Sequence, residues 1–297
     1  LKNAIEIKDA IFMDYCRLFD TDIEFVTLYE DDYPYKLSLI NDPPAILFYR
    51  GQIPENNRHS IAIVGSRSAT NYGLSMASYF AEELAGCGFD IISGLAVGID
   101  GASHRAALSS GGYSFGVLGC GVDVCYPREN FDLYEEMIKR PGCGILSEVI
   151  PGTCAQSRNF PMRNRIISGL SDAVIVIEAR ERSGSLITAK MALDQNRDIF
   201  AVPGRVTDPL SRGCNKLIAQ GAFILNDPKD ILNILGIKSA KTKDFGEKNM
   251  KILAKNEKIV YSTLDLEPKY VSDIVSETNM AYGDVISALL GLELKGY

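Results

Sequence analysis

Histidine is nearly absent. The chain holds two, His59 and His104, among 297 residues. Its seven cysteines (Cys16, Cys87, Cys120, Cys125, Cys143, Cys154 and Cys214) form no CxxC pair and stand at no metal-ligand spacing. Metal catalysis therefore has no visible ligand set. Buried, reduced thiols are the expectation. No apolar run approaches the roughly 20 residues that span a bilayer. Leu1 to Phe12 mixes charges with apolar residues and does not read as a signal peptide. These absences point to a cytoplasmic protein without a membrane partner. The GxxxxGK[ST] loop is missing, so nucleotide binding of the Walker type is excluded. Gly119-Cys120-Gly121 begins like a dinucleotide fingerprint, but Val124 stands where the third glycine belongs. No cofactor is expected. No Ser-His-Asp set and no carboxylate pair can be assigned.

What is present is an ordinary apolar fraction, 46%, and an uneven charge distribution. Net charge is −7. Residues 1–58 carry six basic and eleven acidic side chains, and residues 256–297 carry three and seven. Residues 156–216 reverse the balance, with ten basic and six acidic. A basic middle between acidic ends is what one anion-binding face produces.

Short β-branched runs alternate with helical stretches. Ile61 to Val64, Phe89 to Ile92, Tyr113 to Leu118, Gly144 to Ser147, Ala173 to Glu178, Ile199 to Val202 and Ala222 to Leu225 read as strands. The spacing predicts helices over 72–87, 101–109, 130–139, 186–195 and 227–236. This rhythm gives an α/β fold: an extended Rossmann-like parallel sheet with right-handed crossovers. Four parts are expected. Residues 1–58 form a lead-in that packs on the sheet edge, with a weak helical pattern in its first 19 residues and a strand at Ala45 to Tyr49. Residues 59–236 form the core. Residues 237–255 form a polar linker. Residues 256–297 form a winged-helix-like module of three short helices, incomplete because the chain stops where a wing hairpin would begin.

Ligands of such sheets bind beyond the carboxyl ends of the strands. Gly65, Gly94 and Gly119 follow strands there, and glycine lets the backbone come close to a ligand. Gly65-Ser66-Arg67 reads as a phosphate cradle or an ordinary turn with a solvated arginine. Arg128, three residues before Phe131, suits a phosphate and a stacked base, or a surface arginine beside a core aromatic. Arg163-Asn164-Arg165 begins an apolar helix with no acid nearby, which favours an anion over a solvated face. His104 reads as structural.

The motifs Ala62-Ile63-Val64-Gly65-Ser66-Arg67, Ser93 to Asp100, Gly119 to Pro127, Asn159 to Leu170, Ser183 to Ala189 and Val202-Pro203-Gly204 together resemble the DNA-processing protein A family (DprA, also called Smf). The resemblance implies a non-catalytic protein that binds single-stranded DNA. It implies a homodimer that loads the RecA recombinase on incoming DNA in natural transformation. It places DNA phosphates at Gly65, Ser66 and Arg67, a cation at Arg128 and a stacked base on Phe131, with Arg163, Asn164 and Arg165 lining the same pocket or holding its walls; Gly94, Gly119, Gly121, Ser183 and Gly184 complete the expected DNA-binding set. Two departures stand out. Too few residues precede Tyr33 for the helical N-terminal domain of many members, and the tail module is acidic, a poor duplex binder. Two rival readings remain. One is an enzyme similar to the lysine-decarboxylase-like phosphoribohydrolases that cleave nucleoside monophosphates, although Thr188 stands where their catalytic glutamate belongs. The other is a duplex-reading regulator that uses the tail helices.

Overall fold

The computed structural model describes residues 22–237, 253–264 and 269–294. The chain divides into two compact units at Lys238/Ser239. The first is built on one sheet with strands β1 (Glu24–Thr27), β2 (Ile46–Gly51), β3 (Ser60–Val64), β4 (Asp90–Ser93), β5 (Ser114–Val117), β6 (Gly144–Ser147), β7 (Ala173–Val176), β8 (Asp198–Ala201) and β9 (Phe223–Ile224). Their order is β1-β2-β6-β5-β4-β3-β7-β8-β9. From β6 to β9 all pairings are parallel; β1 and β2 join antiparallel at the β6 edge. The expected open parallel sheet is thus present, extended by two strands of the lead-in.

Period-two alternation decides which residues meet which helices. Ile61, Ile63, Ile91 and Ile175 point to one face, against α2 (Asn71–Gly86) and α3 (Ile99–Ser109). Ala62, Val64, Val174 and Val176 point to the other, against α5 (Asn159–Gly169) and α6 (Gly184–Asp194). Because both faces are covered, the strands are apolar throughout rather than alternating. A helix α4 (Phe131–Lys139) covers the β5–β6 end with Leu133, Tyr134 and Met137. The chain order reverses beside β3: β4 lies on one side of it and β7 on the other. A crevice opens at such a point in this class of sheet.

The lead-in is held mainly by apolar burial. Leu37, on the short helix α1 (Tyr35–Ser38), and Leu47 on β2 are fully buried. Each such side chain contributes about 1.5–3 kcal/mol. Lys36 adds an ion pair to Asp172 at 2.7 Å, but a part-exposed pair is worth only about 0–1 kcal/mol. The expected helical pattern before residue 20 lies outside the described residues.

Besides α1, two elements escape the sequence pattern. One is β1, four residues at the sheet edge. The other is α7 (Arg212–Ala219), which carries Gly213 in its first turn. A Cβ at Gly213 would sit 2.6 Å from the Ala179 carbonyl, so this glycine is a packing necessity and not a helix stop. A short helix α8 (Pro228–Ile234) closes the unit behind a capping box at Asp227.

The second unit contains α9 (Lys255–Thr263), α10 (Val271–Thr278) and α11 (Tyr282–Leu294). Its core is Leu253, Val260, Ile274, Val285, Ala288 and Leu292. On α11, Leu290 is exposed and Leu292 is buried in this core. The position of the expected wing lies outside the described residues, as does most of the expected linker.

Burial of thiols holds for Cys120, Cys143 and Cys214 but not for Cys154, which is exposed. His104 is fully buried on α3. Ser114 Oγ donates to Ile91 O at 3.0 Å, so His104 Nδ1, 2.7 Å from that oxygen, donates to it. Burial lowers the His104 pKa to about 3. The unfolded chain takes up this proton near pH 6.5 and the folded one does not. Stability should therefore fall as pH drops below about 6.5, by on the order of 2 kcal/mol between pH 7 and pH 5 from this group. Denaturant titrations of the wild type and His104→Gln at both pH values test this: the variant should lose clearly less.

Candidate nucleic-acid interface

The loop after β3 carries Gly65, Ser66 and Arg67; the loop after β7 carries Arg180, Arg182 and Ser183 and leads into α6 at Gly184. Together with the first half of α5, these loops enclose a cavity of about 300 Å³ at the reversal point. Its floor is Val64, Ile167 and Thr188, all buried.

The loops interlock too tightly for side chains at several points. A Cβ on Gly65 would come 2.6 Å from Ile99 Cγ1, and one on Gly98 (φ +81°) 2.4 Å from Ser66 O. Ile99 N donates to Ser66 O at 3.2 Å. The loops after β3 and β4 therefore hold each other. Glu178, buried at the end of β7, accepts from Thr70 N at 3.0 Å and from the Thr70 hydroxyl. Thr70 in turn caps α2 by accepting from Gly73 N. A carboxylate at a helix N-terminus is favourable, and this one ties the Ser66–Arg67 loop to β7.

Arg163 is 5% exposed. Its Nη1 donates to Gly94 O at 2.9 Å and to Val117 O, and its Nε donates to Asn164 Oδ1 at 3.3 Å. Desolvation lowers its pKa to about 10, opposed by the nearby Asp100. Asp100 accepts from Gly94 N at 3.1 Å, and burial raises its pKa against the pull of Arg163. Gly94 makes room for the guanidinium, since a Cβ there would lie 2.6 Å from Arg163 Nη2. Arg163 thus lines the cavity, but its hydrogen bonds go to the wall. Asn164 Nδ2 donates to Gly184 O at 3.4 Å and steadies the opposite rim.

Arg165 lies elsewhere. Its guanidinium pairs with Glu148 at 2.6 Å and with Asp42 at 3.2 Å, and it lines neither hollow described here. The sequence shows no acid beside it because these carboxylates arrive from 17 and 123 residues away. The expectation that no acid stands near Arg165 is corrected.

Arg67 is exposed, with its guanidinium 5.4 Å from the Phe160 ring centroid. Tyr126 lies 5.5 Å on, at 33° to Phe160. Around this aromatic pair a second hollow of about 210 Å³ opens, lined by Arg67, Gly94, Glu129 and Arg163 among others. Gly119 is buried under Phe160, and its carbonyl accepts from Asn159 Nδ2 at 3.1 Å. Gly121 is buried against Asp123 and Pro151-Gly152, outside both hollows. Arg128 and Phe131 are exposed and line neither hollow; Phe131 stacks on Tyr134 with centroids 6.5 Å apart. Between them Asn130 is buried, donating to Leu95 O at 2.9 Å and Ala96 O at 3.0 Å.

Sequence reasoning missed Phe160, Tyr126, Arg180, Arg182 and Thr188 as wall residues. A signal existed for two of them: Arg180 and Arg182 flank one residue and run straight into Ser183-Gly184. Among the described residues, Arg67, Arg180 and Arg182 form no ion pair. The site therefore offers three uncommitted guanidiniums, hydroxyls at Ser66 and Ser183, and an aromatic surface. Such a set grips phosphate oxygens and stacks bases.

The family model of DNA recombination-mediator protein A matches residues 24–236. The DNA processing protein DprA of Bacillus subtilis is 45% identical over 214 residues, 72% of this chain and 71% of that protein. Protein Smf of Escherichia coli is 37% identical over 270 residues, 89% and 72% of the two chains. The X-ray structure of DNA processing protein A from Streptococcus pneumoniae superposes with a TM-score of 0.68 at 39% identity, covering 75% of this chain and 81% of that one. A Helicobacter pylori DNA processing protein A, whose structure is described for its single-stranded DNA binding mode, superposes with a TM-score of 0.62 at 29% identity, covering 71% and 95%. The motifs that line the cavity and the match over most of the chain agree: the chain belongs to the DNA-processing protein A (DprA/Smf) family.

Proposed function

We propose that this protein binds single-stranded DNA at the reversal-point cavity, without cutting it, and hands the strand to the RecA recombinase during natural transformation. The observation that carries the reading is the set Arg67, Arg180 and Arg182 around one cavity, free of acid partners among the described residues and next to Phe160 and Tyr126. Phosphate contacts are indifferent to sequence, and so is stacking. The Helicobacter pylori relative described for its single-stranded DNA binding supports the ligand class. The protein acts in the cytoplasm as a homodimer. An exposed apolar edge formed by Leu193, Phe223 and Ile224 offers a surface to the second copy. No helix among the described residues is long and apolar enough to cross a membrane.

The phosphoribohydrolase reading is weaker. Among the described residues that line the cavity Asp100 is the one carboxylate, and it is engaged by Gly94 N and Arg163. Thr188 stands on the floor where a catalytic glutamate would be needed.

The decisive experiment is a salt-titrated comparison of single strand, duplex and AMP. Single strands should bind best, with about −0.7 in log–log slope per neutralised phosphate, and AMP should stay intact. Salt-independent binding, or tighter duplex binding, would overturn the proposal. Arg67→Ala should weaken strand binding about tenfold or more, since charged hydrogen bonds are worth roughly 1.5–3 kcal/mol. Arg67→Lys should recover only part, because lysine lacks the two-pronged fork. Arg163→Met should instead lower thermal stability, leaving two strand-end carbonyls without their donor and Asp100 without the neighbouring positive charge; a buried group left unsatisfied costs about 1–3 kcal/mol. Deleting residues 256–297, which carry four more acids than bases, should leave strand affinity within a few-fold.

A further inference from the structure

The cavity carries more positive charge, and less room, than a passing strand needs. An internal phosphodiester bears one charge and has sugar on both sides, so its site must be open at two ends. This cavity is closed below by Val64, Ile167 and Thr188, whose exposures are 4%, 1% and 2%. Its volume, about 300 Å³, is at the lower limit for small-ligand pockets and suits one nucleotide unit. Arg67, Arg180 and Arg182 line it together, and none is paired with a carboxylate among the described residues.

A further observation comes from the floor. Thr188 is a polar side chain, almost fully buried, that lines the cavity and forms no hydrogen bond among the described residues. Its Oγ1 is open to the cavity and so available to a ligand oxygen. Its position, one turn inside α6, is below the open N-terminus at Gly184, where a Cβ would meet nothing within 4 Å. Ser183 Oγ stands 2.7 Å from Ser185 Oγ at the same helix start. Hydroxyls, the start of α6 and three guanidiniums thus line one hollow with a closed floor.

We propose that the cavity holds a terminal phosphomonoester: the phosphate at the end of a DNA strand, or that of a free nucleoside monophosphate, held without hydrolysis. This rests on the single-strand reading and sharpens it, because a monoester carries about −1.5 to −2 charge at neutral pH against −1 for a diester. A monoester also has one substituent, so it can enter a space closed at the bottom. The strand then leaves past Arg67 and the Phe160–Tyr126 surface, which lie at the mouth of the second hollow.

The test uses the full chain and fluorescence anisotropy with short oligothymidylates. One carries a 5′-phosphate, one a 3′-phosphate, one hydroxyls at both ends, and one is circular. Thymidine monophosphate is titrated separately against thymidine. A gain of about tenfold for a phosphorylated end is expected, and which end shows it identifies the source. Tighter binding of the monophosphate than of thymidine, with no end effect, assigns the cavity to free nucleotides. The gain should fade as pH drops through about 6, where the monoester takes up its second proton. Thr188→Val and Arg182→Ala should each reduce the ratio of phosphorylated to unphosphorylated affinity, a readout that a general folding role would not move. Strands that bind equally in all four forms, with no preference for monophosphate over thymidine, would overturn the proposal and leave single-strand binding standing. Failure to bind any strand would overturn the single-strand reading, and the mononucleotide arm would still decide this one.

Discussion

One desolvated charge organises the centre of this molecule. The Arg163 guanidinium reaches from α5 to the carbonyls that end β4 and β5, with Asp100 beside it. A buried cation without partners is costly, on the scale of several kcal/mol. Its partners are therefore constraints on everything nearby. Gly94 must lack a side chain, β4 and β5 must end level with each other, and α5 must approach the sheet at this height. Once α5 is fixed, Phe160 and Asn164 are fixed with it, and the two hollows lie on either side of the ring.

The arginines around the site divide by burial into two kinds of work. Arg163 and Arg165 have carbonyl or carboxylate partners and hold walls together. Arg67, Arg180 and Arg182 stand in water with none among the described residues. A buried and paired arginine has little left to offer a ligand, whereas an exposed one gives up only water. The same residue type thus builds the frame in one place and is available to an anion in another.

That division explains what could be read from the chain alone. The strands were legible because both faces of the sheet are covered, which makes runs such as Ile61 to Val64 continuously apolar. The glycines at strand ends were legible because few other residues fit there. The partners of Arg165 were not, since Glu148 and Asp42 are brought to it only by the fold. Phe131 and Phe160 each sit beside cations in sequence, yet the ring between the two hollows is Phe160, a distinction made by the docking of α5 under Gly119. Of α11, the apolar content was plain but its rotation was not: Leu290 faces out and Leu292 faces in. Local spacing tells which side chains share a neighbourhood; it does not tell which have already found a partner.

The lead-in bears on the site through a single rigid rod. Leu37 and Ile40 pack where a side chain on Gly169 would otherwise stand, at the last turn of α5. Phe160 and Arg163 lie near the other end of that helix. Eleven residues at 1.5 Å each make it about 16 Å long. The smallest piece of chain able to present the site therefore does not begin at β3. It reaches back through α1 and β2, because a sheet cut before β3 would expose the β6 edge and leave the far end of α5 without support. The segment that looks like a preface is the footing on which the helix stands.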